Sequence, residues 1–189
     1  MSRRVLLIGR NPTVLAELGQ ALRSEGFAVQ TTDLVEKASQ DFNAANFDLI
    51  AFGRGVDEET KAFLKASFRT QHASIYFVDG LAPIIPLLVK QIKETLQAKP
   101  ADEKLLTYFG CDLSETLTIS IALREACQVA VDFYQLDAVH NTRQDTLIST
   151  YLQAGNYQFK IEPIFLDNTA ARFLVAQANK DELTVLRLS

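Results

Sequence analysis

The sequence predicts an α/β half built on a parallel sheet, followed by a small all-β, sandwich-like half. Three observations carry that division. Residues 4–55 alternate short aliphatic runs with helical apolar stripes, in the order strand, helix, strand, helix, strand. From Leu117 onward the apolar period drops to two, the rhythm of half-buried strands. Between the halves, Gln97 to Lys104 is polar and holds a proline, as a linker does. The expected boundaries are residues 1–98 for the first domain, 99–104 for the linker and 105–189 for the second.

Each element has its own reason. Val5, Leu6, Leu7 and Ile8 form an unbroken aliphatic run, suited to a strand covered on both faces. Gly9-Arg10-Asn11-Pro12 ends it, with Asn11 placed to cap a helix and Pro12 at the first helical position. Val14, Leu15, Leu18, Ala21 and Leu22 keep one face of that helix apolar, and Gly26 is placed to close it in a left-handed conformation. Phe27 to Val29 gives a short second strand. Asp33 is expected to cap a second helix carrying Val35, Ala38 and Phe42 and ending at Asn46, before a third strand from Phe47 to Phe52. Asp57, Glu58 and Glu59 open a third helix, where acidic side chains suit the positive end of the dipole. Val56, Thr60, Phe63, Leu64 and Ser67 are expected to share its face, and Ser74 to Val78 is a fourth strand.

Pro83 and Pro86 must fall at or before the first turn of the next helix, since neither donates a helical hydrogen bond. From there Ile84, Ile85, Leu87, Leu88, Val89, Ile92 and Leu96 spread over more than one stripe. A helix of that kind is buried on more than one side, inside the chain or against a second copy. Ile84, Ile85, Leu87, Leu88 and Ile92 are therefore the candidate interface of a homodimer.

In the second half Leu117, Ile119, Ile121 and Leu123 alternate with polar or small residues, as do Cys127, Val129, Val131 and Phe133. Tyr157, Phe159 and Ile161 repeat the pattern behind the turn Ala154-Gly155-Asn156. Arg172 to Ala178 and Glu182 to Leu188 read as a hairpin across Asn179-Lys180-Asp181. With Leu105 to Gly110 and Thr146 to Leu152, the count reaches the six or seven strands of a small sandwich. A competing reading makes 115–135 a helix and Leu105 to Gly110 a fifth parallel strand; the long alternation favours the sandwich.

Composition narrows the function. An apolar content of 48% over 189 residues supports a real core. No apolar run spans a bilayer, and the first ten residues turn charged too soon for a signal peptide, which implies a cytoplasmic protein without a membrane partner. Residues 1–99 carry 12 Lys and Arg against 11 Asp and Glu, while residues 100–189 carry 7 against 12. A net charge of −4 gives no drive toward nucleic acid. Cys111 and Cys127 show no paired-cysteine spacing and read as core thiols. His72 and His140 have no second ligand or base at useful spacing, and no nucleophile elbow, dinucleotide fingerprint or phosphate-loop lysine occurs. No cofactor, metal site or enzymatic activity is expected.

Asn11-Pro12, Ser24-Glu25-Gly26-Phe27 and Phe47-Asp48-Leu49-Ile50 carry a resemblance to the response-regulator receiver family over about the first half of the chain. The resemblance implies a flavodoxin-like parallel sheet and a place in signal transduction. It also implies an acidic pair after the first strand that binds magnesium, where this sequence has Gly9 and Arg10. The family's phosphate-accepting aspartate falls on Gly53, its strand-four hydroxyl on Val78, and its strand-five lysine has no counterpart. A pseudo-receiver, inert to phosphorylation, is the expectation, because phosphoryl transfer rests on carboxylates and metal. The family further implies a helix and a strand between the fourth strand and the last helix, which this chain omits, leaving a truncated sheet. Leu123, Val129, Val131, Leu152, Ala154, Gly155, Tyr157, Phe159 and Ile161 loosely resemble the pattern of bacterial immunoglobulin-like sandwich modules.

One constellation stays open for a small ligand. Arg10 and Asn11 follow the first strand and Arg54 follows the third, neighbouring loops at the carboxyl edge where such sheets bind ligands. They would suit an anion or nucleotide beside helix N-termini. The competing reading leaves both arginines solvated, or paired with Asp57, Glu58 or Asp79. Two functions follow: a non-enzymatic regulatory interaction protein, or a small-anion sensor.

Overall fold

A computed structural model describes residues 2–80, 84–97, 103–114, 116–136, 142–162, 171–179 and 182–188. The chain divides into two compact units, Met1–Ala98 and Lys99–Ser189. Pro83, residues 98–102 of the linker region, His140 and the Lys180–Asp181 turn lie outside the described residues.

Unit 1 runs β1 (Arg4–Ile8), α1 (Pro12–Ser24), β2 (Ala28–Thr32), α2 (Ala38–Asp41), β3 (Leu49–Phe52), α3 (Glu58–Gln71), β4 (Tyr76–Asp79) and α4 (Ile85–Leu96). The four strands pair in parallel in the order β2-β1-β3-β4. Alternate side chains of β1 serve opposite faces, as the pleat requires. Val5 and Leu7 join Leu15, Leu18, Leu22, Leu88, Val89 and Ile92 on the side of α1 and α4. Leu6 and Ile8 join Val35, Ala38, Phe52, Leu64 and Phe68 on the side of α2 and α3.

Local signals set most boundaries. The Asn11 side chain accepts from the backbone N–H groups of Thr13 and Val14, with Pro12 in the first turn. Gly26 takes φ +88°, a left-handed geometry that closes α1 without a Cβ penalty. Asp57 caps α3 by accepting from Thr60 N–H.

Three expectations are corrected. The region after β2 is no continuous helix: a 3₁₀ turn at Val35–Lys37, the short α2, and a second 3₁₀ turn at Ala44–Asn46 replace it. The Thr32 hydroxyl, rather than Asp33, accepts from Leu34 N–H at its start. The inward face of α3 is Lys61, Leu64 and Phe68, and Phe63 is 65% exposed. Finally, β4 ends at Asp79, opposite Phe52, one residue beyond Val78.

Among the described residues, the regular elements of unit 2 are β5 (Leu106–Asp112), β6 (Leu117–Leu123), β7 (Cys127–Leu136), β8 (Thr142–Leu152), β9 (Gly155–Ile161), β10 (Ala171–Ala178) and β11 (Glu182–Leu188). Two antiparallel sheets form, β5-β6-β9 and β11-β10-β7-β8. The helix for 115–135 and the fifth parallel strand are excluded, since β5 pairs antiparallel with β6. One cluster draws on both sheets: Phe109, Ile119 and Ile121 from the first, Val129, Val131, Phe133, Leu174 and Ala176 from the second. Two sheets sharing one core are sandwich-like.

Candidate functional site

The carboxyl edge of the parallel sheet gathers three loops. Gly9 and Arg10 follow β1, the 3₁₀ turn holding Glu36 follows β2, and Gly53-Arg54-Gly55 leads into the Asp57 cap of α3. The loops after β1 and β3 meet at a glycine on each side. A Cβ built on Gly53 would lie 3.4 Å from the Gly9 Cα, and one on Gly9 3.6 Å from the Gly53 Cα.

Arg10 ties these loops together. Its Nη2 lies 2.7 Å from a Glu36 carboxylate oxygen and 3.7 Å from Asp57 Oδ2, and its Nε donates to the Gly55 carbonyl at 3.2 Å. Both carboxyls sit below their ordinary values. For Glu36 the causes are a hydrogen bond from its own backbone N–H and then the Arg10 side chain. For Asp57 the leading causes are the Thr60 backbone N–H and the Thr60 hydroxyl, with Arg10 a lesser contribution.

The expected ligand residues therefore separate. Arg10 is matched by two carboxylates, and an incoming anion would have to displace them. Asn11 Oδ1 is committed to capping α1. Arg54 lies exposed in its loop. Of the partners considered from sequence, Asp57 does pair with Arg10, whereas Asp79 pairs with Lys65 at 2.6 Å and Glu58 with Lys61 at 2.8 Å. Glu36 went unforeseen. The signal that could have found it is the parallel β1–β2 register, which sets Thr32 beside Ile8 and brings the two following loops together.

The candidate dimer surface on α4 is largely inside the single chain. Ile84, Leu87, Leu88 and Ile92 are at most 7% exposed, and half-buried Ile85 packs against the α1–α4 core. That burial is the first of the two alternatives the wide apolar arc allows: α1 takes one part and the sheet another. Glu25 and Lys93 close the α1–α4 pair at 2.7 Å.

A cavity of about 450 Å³ lies at the opposite, amino edge, lined by Arg4, Ala28, Gln30, Asp41, Phe42 and Phe47 among others. Burial raises both thiols, Cys111 and Cys127, with Asp112 and Glu182 respectively adding to it, so neither is poised as a nucleophile. Among the described residues, no group of three or more His, Cys, Asp or Glu side chains is placed to hold a metal ion. No helix described is long and apolar enough to cross a membrane.

No family model matches the chain, and no curated protein matches it. Among solved structures it is similar to an orphan response regulator of H. pylori, at 22% identity and a TM-score of 0.42, covering 50% of this chain and 97% of that one. The receiver domain of the hybrid histidine kinase CckA gives 22% identity and a TM-score of 0.38, covering 50% of this chain and 99% of that one. A β-glucosidase of Erythrobacter marinus gives 13% identity and a TM-score of 0.36 over 99% of this chain and 46% of that one.

Proposed function

We propose that this chain is a non-enzymatic signalling or regulatory protein, acting through binding, whose receiver-like unit takes up no phosphate. One observation carries the reading: the carboxyl edge is held by an arginine where the receiver resemblance implies metal-binding carboxylates. A divalent cation brought to this edge would meet the Arg10 guanidinium, already bridging Glu36, Asp57 and the Gly55 carbonyl. Gly53, one residue past β3, has no side chain to accept a phosphoryl group. Asp57, which follows that loop in sequence, spends Oδ1 on the Thr60 N–H and Oδ2 on the Thr60 hydroxyl. With Arg10 where metal-binding carboxylates would stand and a glycine after β3, the positioning and charge stabilisation that phosphoryl transfer requires are missing. An α/β unit of this kind, joined to an acidic β unit, acts by presenting surfaces to a protein partner in the cytoplasm.

Incubation with acetyl phosphate and magnesium at neutral pH, followed by intact mass measurement without acid, tests the proposal. The expected spectrum is that of the unmodified chain. An adduct of one phosphoryl group that is lost from an Asp57→Asn or Asp79→Asn variant would overturn it.

A further inference from the structure

At its amino edge the parallel sheet of unit 1 is left partly uncovered, and the sequence suits the opening. Registered neighbours on parallel strands face the same side, so Arg4 shares a face with Ala28, and Leu6 with Gln30. Leu6 and Ile8 place that face on the side of α2, where they join Val35 and Ala38 in the core. The four residues of α2 make one turn about 6 Å long, against about 16 Å for the five residues of β2. At the carboxyl end of the β2 row Thr32 is 9% exposed, whereas Ala28 and Gln30 at the amino end stand open. A covered sheet face would carry apolar side chains there. This one carries Arg4 and Gln30.

The result is the hollow of about 450 Å³, within the ~300–1,000 Å³ of small-molecule pockets. Its far wall is fixed from behind. The Gln71 side chain accepts from Ala44 N–H at 2.8 Å and donates to the Ser39 carbonyl at 3.2 Å, pinning the chain on both sides of Phe42. Half-buried Phe42 leans on buried Phe47, with ring centroids 6.2 Å apart. Exposed polar side chains ordinarily stand alone in water. Here Arg4, Gln30, Asp41 and Asn46 line one hollow, and no described residue bonds to or pairs with any of their side chains.

The two charges define what fits. A phosphate drawn to Arg4 would also meet the Asp41 carboxylate, and a simple amine drawn to Asp41 would also meet Arg4. A molecule with both charges on neighbouring atoms satisfies both. The Gln30 and Asn46 amides supply donors and acceptors beside it, and the Phe42 and Phe47 rings receive an apolar body. We propose that this hollow binds a free α-amino acid with an apolar or aromatic side chain. Its carboxylate lies at Arg4, its ammonium at Asp41 and its side chain against Phe42. Charge contacts at an open site contribute little each, so the affinity is submillimolar to millimolar. The site is at the edge away from Arg10, and it stands whether or not the carboxyl edge accepts phosphate.

Isothermal titration calorimetry of the full chain tests it with four probes. L-Phenylalanine is expected to bind saturably. Phenethylamine, which lacks the carboxylate, and 3-phenylpropionate, which lacks the ammonium, are each expected to bind at least tenfold more weakly. Inorganic phosphate is expected to give no heat of binding. Arg4→Gln and Asp41→Asn, both at exposed positions, are expected to weaken L-phenylalanine at least tenfold with an unaltered circular dichroism spectrum. Ala28→Leu, which fills the hollow without touching a charge, is expected to do the same. No saturable binding of L-phenylalanine at millimolar concentration overturns the proposal. So does equal affinity for the three organic probes, phosphate binding in place of the amino acid, or binding that all three variants leave unchanged.

Discussion

Arg10 holds three loops with one guanidinium, and its partners are carboxylates kept ionised by local hydrogen bonds. Asp57 sits below its ordinary value of 3.8 chiefly through the Thr60 N–H and hydroxyl. A carboxyl depressed in the folded state contributes stability above its unfolded value and loses it as pH falls through the lower folded one. Asp57→Ala is therefore expected to lower the melting temperature at neutral pH, with the difference from wild type closing only below about pH 4, as thermal scans across pH would show. Asn11→Ala removes the α1 cap and is expected to cost about 1 kcal/mol at any pH, since an amide does not titrate. A variant as stable as wild type in urea would show that the exposed Oδ1 bonds contribute nothing. Asn11 was readable as a cap because the cap rule is local. The Arg10–Glu36 pair was not, because it joins residues 26 positions apart in sequence through a loop expected to be helical.

Among elements, the strands of unit 2 were legible, whereas α2 and the inward face of α3 were not, for a common reason. Strict alternation in Leu117–Leu123 maps onto burial residue by residue, because a strand has only two faces. A helix offers a continuous circle of positions, and lysine blurs it further, since its aliphatic stem packs inward while its ammonium finds a carboxylate. Lys61 does so with Glu58, displacing Phe63 from the face assigned to it. Edges show what else the pattern hides. The outer strand β2 is guarded by Arg23, which donates to the Val29 carbonyl at 2.9 Å and occupies an acceptor that another strand would use. On β5, the Tyr108 ring lies over Gly110, and any Cβ there would strike it. Glu182 anchors the start of the same strand, its carboxylate accepting from Leu105 and Leu106 N–H at 2.8–3.0 Å. Glu182→Ala strands those donors, of which the Leu106 contact is fully buried, and is expected to destabilise unit 2 by about 1–3 kcal/mol. Chemical denaturation followed by hydrogen exchange in β5 would measure it; unchanged protection there would refute the clasp.

For the whole molecule, the break in composition near residue 98 coincides with the division into two units, each with its own core clusters. What the sequence withheld was which surfaces the units leave open, because apolar residues on α4 and α3 look alike until packing distributes them. The two units also differ in how far apart their contacting residues lie along the chain. In unit 1, β1 meets β2 across one helix, with Arg4 beside Ala28. In unit 2, the Glu182 clasp spans 77 positions to Leu105, and β6 must wait for β9 while β7 and β8 enter the other sheet. Closing distant loops before any contact rewards them slows folding. Every α-helix described belongs to unit 1, so helical ellipticity is expected to return first in stopped-flow refolding. Cys127, 1% exposed in the core of unit 2, provides the second clock. Pulsed thiol labelling should find it still open to reagent after the helices have formed, and a growing chain would complete its first half while the second awaits its last strand.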